Sequence, residues 1–187
     1  QGVRFKVQGV EVSLVVPSLA VVENVLCTLR ILEALDVDWR PLSKELAHFK
    51  PVEGRFRVFR KGGLVIIDDT YNANPPSVRI ALKTLGMLKG YRVAVIGDML
   101  ELGADSHIYH REIGSLCKEL NIDMCLFYGD HTKHAYEECL KFGGHCLFFE
   151  SKEDILKLLL NLKEGIILFK GSRSMGMESL VEGLLST

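Results

Sequence analysis

Leu64-Val65-Ile66-Ile67-Asp68-Asp69-Thr70-Tyr71-Asn72-Ala73-Asn74-Pro75 sets four apolar residues directly ahead of eight residues of which six carry polar side chains. So short a β-branched run reads as a buried strand, and the spacing of Pro76–Leu88 behind it predicts a helix with Pro and Ser near its start. The same strand–loop–helix unit then recurs. Val93–Ile96 ends in Gly97-Asp98 and leads to a helix over Ser106–Leu120. Met124–Tyr128 ends in Gly129-Asp130, ahead of a helix over His131–Phe142. Cys146–Phe149 precedes a helix over Ser151–Leu162, where Ser151 and Asp154 approach a capping box. Ile166–Phe169 is followed by a loop at Lys170–Arg173 and a last helix over Met175–Leu185. Short strands alternating with helices predict an α/β fold, a mostly parallel sheet covered by helices. Such sheets take ligands beyond the carboxyl ends of their strands, so the loops at Asp68–Pro75, Gly97–Gly103 and Lys170–Arg173 are expected to converge on one crevice.

Upstream the rhythm differs. Arg55–Arg60 alternates like a strand and reaches a turn at Gly62-Gly63, while Pro51-Val52-Glu53-Gly54 is the best domain boundary. Before it lie a hairpin of Val3–Val7 and Val10–Val16 about Gly9, a helix over Ala20–Leu35, a break at Asp36–Pro41 and a short helix over Ser43–Phe49. These residues, 1–53, carry little core of their own; residues 54–187 form the regular remainder.

The 187 residues are 48% hydrophobic and 25% charged, with a formal net charge of −1, the balance of a globular protein. No basic cluster stands out, which argues against nucleic acid as a partner. No apolar run suggests a membrane span. The five cysteines form no CxxC pair, and Cys27, Cys117 and Cys125 sit in apolar patterns, as expected of reduced thiols in a cytoplasmic protein. The start, Gln1-Gly2-Val3-Arg4, has neither an initiator Met nor a signal pattern and reads as part of something longer.

Three loops carry chemistry. In Asp68–Pro75 a carboxylate can accept both hydroxyls of a ribose, although Asp, Asn and Pro also form plain turns. In Gly97-Asp98-Met99-Leu100-Glu101-Leu102-Gly103 the acids Asp98 and Glu101 can hold a cation, receive a substrate ammonium group, or cap the helix near Ser106. Lys170-Gly171-Ser172-Arg173-Ser174-Met175-Gly176 has the look of an anion site at a helix start, or of a solvated basic turn. It is not a Walker A loop. His107 and His110 lie three apart on one helix, but a metal pair would need further ligands that the sequence does not place, so no metal ligand is assigned.

In order, Gly54-Arg55, Asp68–Ser77, Gly97–Gly103, His110 and Lys170–Met175 resemble the Mur ligase family over about residues 54–187. The strings YNANP and GDMLELG together are nearest to the branch that adds D-alanyl-D-alanine. The resemblance implies a Rossmann-like carboxyl-terminal domain, with residues 1–53 a partial β/α remnant of a central ATP-binding domain. It implies an ATP-dependent ligase of peptidoglycan precursor synthesis, using ATP and Mg²⁺ to form an acyl phosphate. Its substrates would be UDP-N-acetylmuramoyl-tripeptide and D-alanyl-D-alanine.

By the same resemblance Asp69 meets the ATP ribose and Arg55 reaches the nucleotide, with Tyr71, Asn72 and Asn74 lining the crevice. Lys170 and Arg173 serve the acyl phosphate, and Ser172, Asp98, Glu101 and His110 the dipeptide. The P-loop and the Mg²⁺-binding acids of the family are not in this sequence, and Ala20-Val21 stands where the family has a His-Asn pair ahead of Asn24. The chain is therefore expected to need amino-terminal and central domains as partners and to be inactive alone. Alternatives are another Mur-type ligase, of the folylpolyglutamate kind or adding another amino acid, and a non-catalytic Rossmann-like binding module.

Overall fold

The computed structural model describes residues 2–186 and divides into two compact units, one up to Val52 and one from Glu53. In the first, β1 (Val3–Val7) and β2 (Val10–Leu14) form an antiparallel hairpin, and Gly9 takes a φ of 82° in its turn. Ser18 caps α1 (Leu19–Ala34) by accepting the Val21 N–H. Val12, Leu14, Val25, Leu29 and Trp39 pack into a small core, and the Trp39 indole N–H donates to Glu33 at 3.1 Å. The unit thus has more core than its sequence suggested.

Two expectations fail here. The helix expected over Ser43–Phe49 is a pair of 3₁₀ turns, Arg40–Ser43 and Glu45–His48, because so short a segment cannot offset the cost of nucleating an α-helix. Cys27 is exposed. The buried stripe of α1 runs through Val25 and Leu29, and a residue two positions from each lies on the other side.

The second unit carries a six-stranded sheet. Its elements are β3 (Arg57–Lys61), β4 (Gly63–Asp68), α2 (Pro75–Met87), β5 (Arg92–Gly97), α3 (Ser106–Glu119), β6 (Met124–Tyr128), α4 (Lys133–Lys141), β7 (Cys146–Phe149), α5 (Lys152–Leu160), β8 (Glu164–Lys170) and α6 (Glu178–Ser186). The strand order is β3-β4-β8-β5-β6-β7, parallel except for the antiparallel edge strand β3. Period-two alternation sends successive side chains to opposite faces. Ile67, Ala94, Ile96, Cys125, Phe127 and Leu168 meet α2, α3 and α4 on one face. Ile66, Val93, Val95, Leu126, Ile167 and Phe169 meet α5 and α6 on the other. Each fully buried aliphatic side chain contributes about 1.5–3 kcal/mol. This is the Rossmann-like α/β class that the sequence implied.

Element ends shift for local reasons. β3 starts at Arg57 rather than Arg55 because Gly54 and Phe56 both take positive φ, 67° and 57°, in the turn ahead of it. α6 starts at Glu178 rather than Met175: Arg173–Met175 is a 3₁₀ turn stopped by Gly176 at a φ of 57°. Among the described residues no helix is long and apolar enough to cross a membrane.

Candidate functional site

β8, the last strand in sequence, lies between β4 and β5. The chain leaves β4 and β5 for the face covered by α2 and α3, and leaves β8 for the face covered by α6. That divergence opens a crevice at the carboxyl ends of these strands, the usual ligand position in open α/β sheets. The three loops singled out in the sequence meet there.

Lys170 laces the first loop to the third. Its side chain is 3% exposed, and its ammonium donates to Asp69 Oδ2 at 2.7 Å, the Asn72 carbonyl at 3.0 Å and the Asp69 carbonyl at 3.4 Å. Burial pushes the Asp69 carboxyl above the usual carboxylate range, opposed by the Lys170 ammonium and by the Phe56 N–H. Ser172 joins all three loops. Its Oγ accepts the Leu100 N–H at 2.8 Å and donates to the Ala73 carbonyl at 3.4 Å, and its N–H donates to the Asp98 carbonyl at 2.9 Å. The second and third loops approach closely because neither Gly97 nor Gly171 has a side chain. A Cβ on either would meet Met177, at 3.0 Å from Sδ and 2.8 Å from Cγ respectively.

Tyr71 stands at the mouth, half exposed. The Arg55 guanidinium lies 4.1 Å from its ring centroid and that of Arg173 5.9 Å. Both guanidiniums are exposed and share one aromatic ring. Gly54 makes this possible: its carbonyl accepts the Tyr71 N–H at 3.0 Å, and any Cβ there would stand 2.8 Å from that nitrogen.

The remaining candidates are tied into local structure, Asp68, Asp98 and His110 buried and Asn72 and Asn74 exposed. Asp68 accepts the Thr70 hydroxyl at 2.7 Å and so makes the turn. Asn74 caps α2 in a reciprocal box with Ser77, and Asn72 Oδ1 accepts the Ala73 N–H at 2.9 Å. Asp98 is 4% exposed and accepts the Thr132 N–H at 2.8 Å, tying β5 to the start of α4. That bond makes residues ahead of Lys133 a turn rather than the helix expected from His131. His110 is 1% exposed. Its Nε2 accepts the Met99 N–H at 3.0 Å while Nδ1 faces the Ser106 carbonyl at 2.7 Å, the arrangement of a neutral ring protonated at Nδ1. Burial lowers its pKa from 6.5.

His110 thus supports the second loop from behind, and His107 is exposed on a different side of α3. Glu101 is exposed at the tip of that loop with a φ of 63°. Lys170 and Arg173 do not flank a helix start, since α6 begins only at Glu178. Sequence reasoning passed over Thr132 and Met177, although Gly129-Asp130 marked the end of β6 as a further loop at the same sheet end.

Arg55, Tyr71 and Arg173 place exposed positive charge and a π-face at the crevice mouth. Asp69 keeps only the acceptor capacity that Lys170 and Phe56 leave. Among the described residues no group of three or more His, Cys, Asp or Glu is placed to hold a metal ion.

Fold and site together define an open α/β domain with a crevice at its strand ends and two exposed guanidiniums at the mouth. The chain belongs to the Mur ligase family: residues 54–173 match the family described as Mur ligase, glutamate ligase domain. It is similar to the UDP-N-acetylmuramoyl-tripeptide--D-alanyl-D-alanine ligase of Escherichia coli K12, 34% identical over 98% of this chain and 42% of that protein. Among solved structures it is similar to MurF from Acinetobacter baumannii, with a TM-score of 0.83 and 32% identity over 95% of this chain and 40% of that one. It is likewise similar to the MurF ligase of Thermotoga maritima in complex with ADP, with a TM-score of 0.82 and 27% identity over 99% and 43%. The chain spans about two fifths of the length of these relatives.

Proposed function

We propose that this chain supplies the carboxyl-terminal domain, and in residues 1–53 the tail of the central domain, of an ATP-dependent ligase. That ligase adds D-alanyl-D-alanine to UDP-N-acetylmuramoyl-tripeptide through an acyl phosphate, in peptidoglycan precursor synthesis in the cytoplasm. The observation that carries the reading is the joining of all three loops by Ser172 and Lys170, with Arg55 and Arg173 brought to one ring at the crevice mouth. The names of the similar proteins supply the reaction.

In this reading ATP would be held partly by Arg55 and Tyr71, and when bound it supplies the phosphoryl group that activates the acceptor carboxylate. Arg55 and Arg173 offset the negative charge of phosphoryl oxygens. Asp69, with Lys170 on one side, offers its remaining lone pairs to a ribose. Lys170 is a positioning residue: its three bonds hold the first loop, and it does not reach out to the reacting atoms. Ser172, Asp98 and His110 likewise hold loops in place so that an incoming amine meets rigid donors. Glu101 and Asn72 remain as exposed polar groups at the rim.

The test is a chimera in which this chain replaces the matching carboxyl-terminal portion of the Escherichia coli relative. Phosphate release that depends on both UDP-N-acetylmuramoyl-tripeptide and D-alanyl-D-alanine is the expected result. A folded chimera that releases phosphate with glutamate in place of the dipeptide, or with neither, overturns the reading.

A further inference from the structure

Arg173 stands between two electron-rich groups and is fully engaged by neither. On one side its guanidinium carbon lies 5.9 Å from the Tyr71 ring centroid, where Arg55 is closer at 4.1 Å. On the other its Nη1 lies 3.7 Å from Glu178 Oε1, well beyond the roughly 2.7–2.9 Å of a charge-assisted hydrogen bond. The backbone around it is fixed. Ser172 is tied to Leu100 and Asp98, and Gly176 turns the chain at a φ of 57° while its carbonyl accepts the Ser179 N–H and hydroxyl. What is left to move is the side chain, which is 66% exposed.

Glu178 opens α6 just beyond that turn, and its two carboxylate oxygens are unequal. Oε1 faces Arg173, whereas Oε2 is shielded from water and, among the described residues, has no hydrogen-bond partner. A buried carboxylate oxygen without a donor is unfavourable, and a guanidinium presents paired N–H groups that match both oxygens of a carboxylate. Lys152, another cation beside the turn, is taken by the carbonyls of Met175 and Gly176 at 3.1 and 2.9 Å. Arg173 is thus a donor close to the unfilled oxygen, and a shift on the order of 1 Å would bring it to hydrogen-bond length.

We propose that Glu178 is a positioning residue for Arg173. It draws the guanidinium back toward the start of α6 while the crevice mouth is empty, and yields it to phosphoryl oxygens when these arrive. Arg173 is then a two-position arm, and Glu178 sets the fraction of molecules in which the arm is available, which scales the apparent affinity for the anion. Naming an acyl phosphate as the source of those oxygens rests on the ligase reading above; the competition of a carboxylate and an oxyanion for one guanidinium does not.

The experiment titrates the intact chain with inorganic pyrophosphate at fixed ionic strength and follows the arginine side-chain Nε–Hε signals by NMR. Glu178→Gln should strengthen pyrophosphate about threefold, on the scale of an exposed ion pair. In an Arg173→Met background, read from the Arg55 signal, the same substitution should change nothing. A carboxylate that merely supports its helix would lower the urea midpoint and leave the affinity alone. In the unmutated chain the Glu178 carboxyl carbon signal should move along the same saturation curve as Arg173, a readout that needs no variant to fold. An unchanged affinity in Glu178→Gln, a gain that persists without Arg173, or a silent carboxyl signal each overturns the arm. An inactive chimera with these effects intact tells against the ligase reading alone, and an active chimera without them tells against the arm alone.

Discussion

Lys170 Nζ and Asp69 Oδ2 lie 2.7 Å apart in an ion pair that joins the end of β8 to the loop after β4, with side chains only 3% and 14% exposed. Removing one member leaves the other charge buried and unpaired, which costs about 3–5 kcal/mol. Lys170→Met is therefore expected to destabilise the second unit by that order in urea unfolding, and Asp69→Asn added to it to restore part of the loss. A Lys170→Met chain as stable as the parent would refute the strut.

The shared ring of Tyr71 gives a second expectation. Tyr71→Phe keeps the π-face and should leave pyrophosphate binding to Arg55 and Arg173 unchanged. Tyr71→Ala frees both guanidiniums and should weaken it about threefold, on the scale of an exposed cation–π contact. Titration of the two arginine side-chain signals by NMR reads this directly, and equal behaviour of the two variants would contradict it.

His110 sets a pH dependence. It is neutral in the fold because Nε2 accepts the Met99 N–H, and burial lowers its folded pKa below the 6.5 of a free imidazole. Below 6.5 the unfolded chain binds the proton more readily than the folded one, so stability is full above that value and falls as the pH drops through the lowered folded value. Urea midpoints between pH 7.5 and 5 should decline, and His110→Gln should flatten the decline while lowering stability at neutral pH. An identical slope in both proteins would show that other groups cause it.

The thiols divide into one and four. Cys27 is exposed, whereas Cys117, Cys125, Cys139 and Cys146 are buried together against α3 and α4. Burial pushes the Cys146 thiol up to about 12, and Cys125 and Cys139 are raised by the thiols they face as well as by burial. An aromatic disulfide reagent at pH 8 should titrate one thiol quickly in the native chain and the rest only on unfolding, since the thiolate is the reacting form. Two or more fast thiols would show that the core opens.

A chain shortened to start at Glu53 should fold, because the second unit holds both faces of its own sheet. It should also associate less than the longer chain, in which Val15, Ile31 and Leu35 are 54%, 60% and 66% exposed. Equal monomeric masses in light scattering would refute the second half.

The sheet, its helices and the meeting of three loops were legible because each strand is a short apolar run punctuated by Gly or Asp, and strands of that kind align in parallel under helices. What each polar residue does there was not legible. Nothing in the string DDTYNANP tells that Asp68 and Asn74 serve the turn and the helix cap while Tyr71 faces outward, since Asp and Asn suit both tasks. Nor does any local signal say that Lys170 points inward to Asp69, a partner about a hundred residues away in sequence. The order of strands was equally hidden: alternation predicts parallel pairing, but not that the last strand takes a middle place.

That middle place has a consequence for how the chain is made. In the finished sheet β4 and β5 are not neighbours, and the strand that separates them, Glu164–Lys170, is synthesised last among the six. Until then the early half exposes two unpaired strand edges and an unfilled gap, and the pairings that close it are long-range and slow to form. The crevice and the centre of the sheet therefore arise in the same closing event. A nascent chain stopped before residue 164 holds most of the sequence of the domain but lacks Lys170, Ser172 and Arg173, the residues that join its loops.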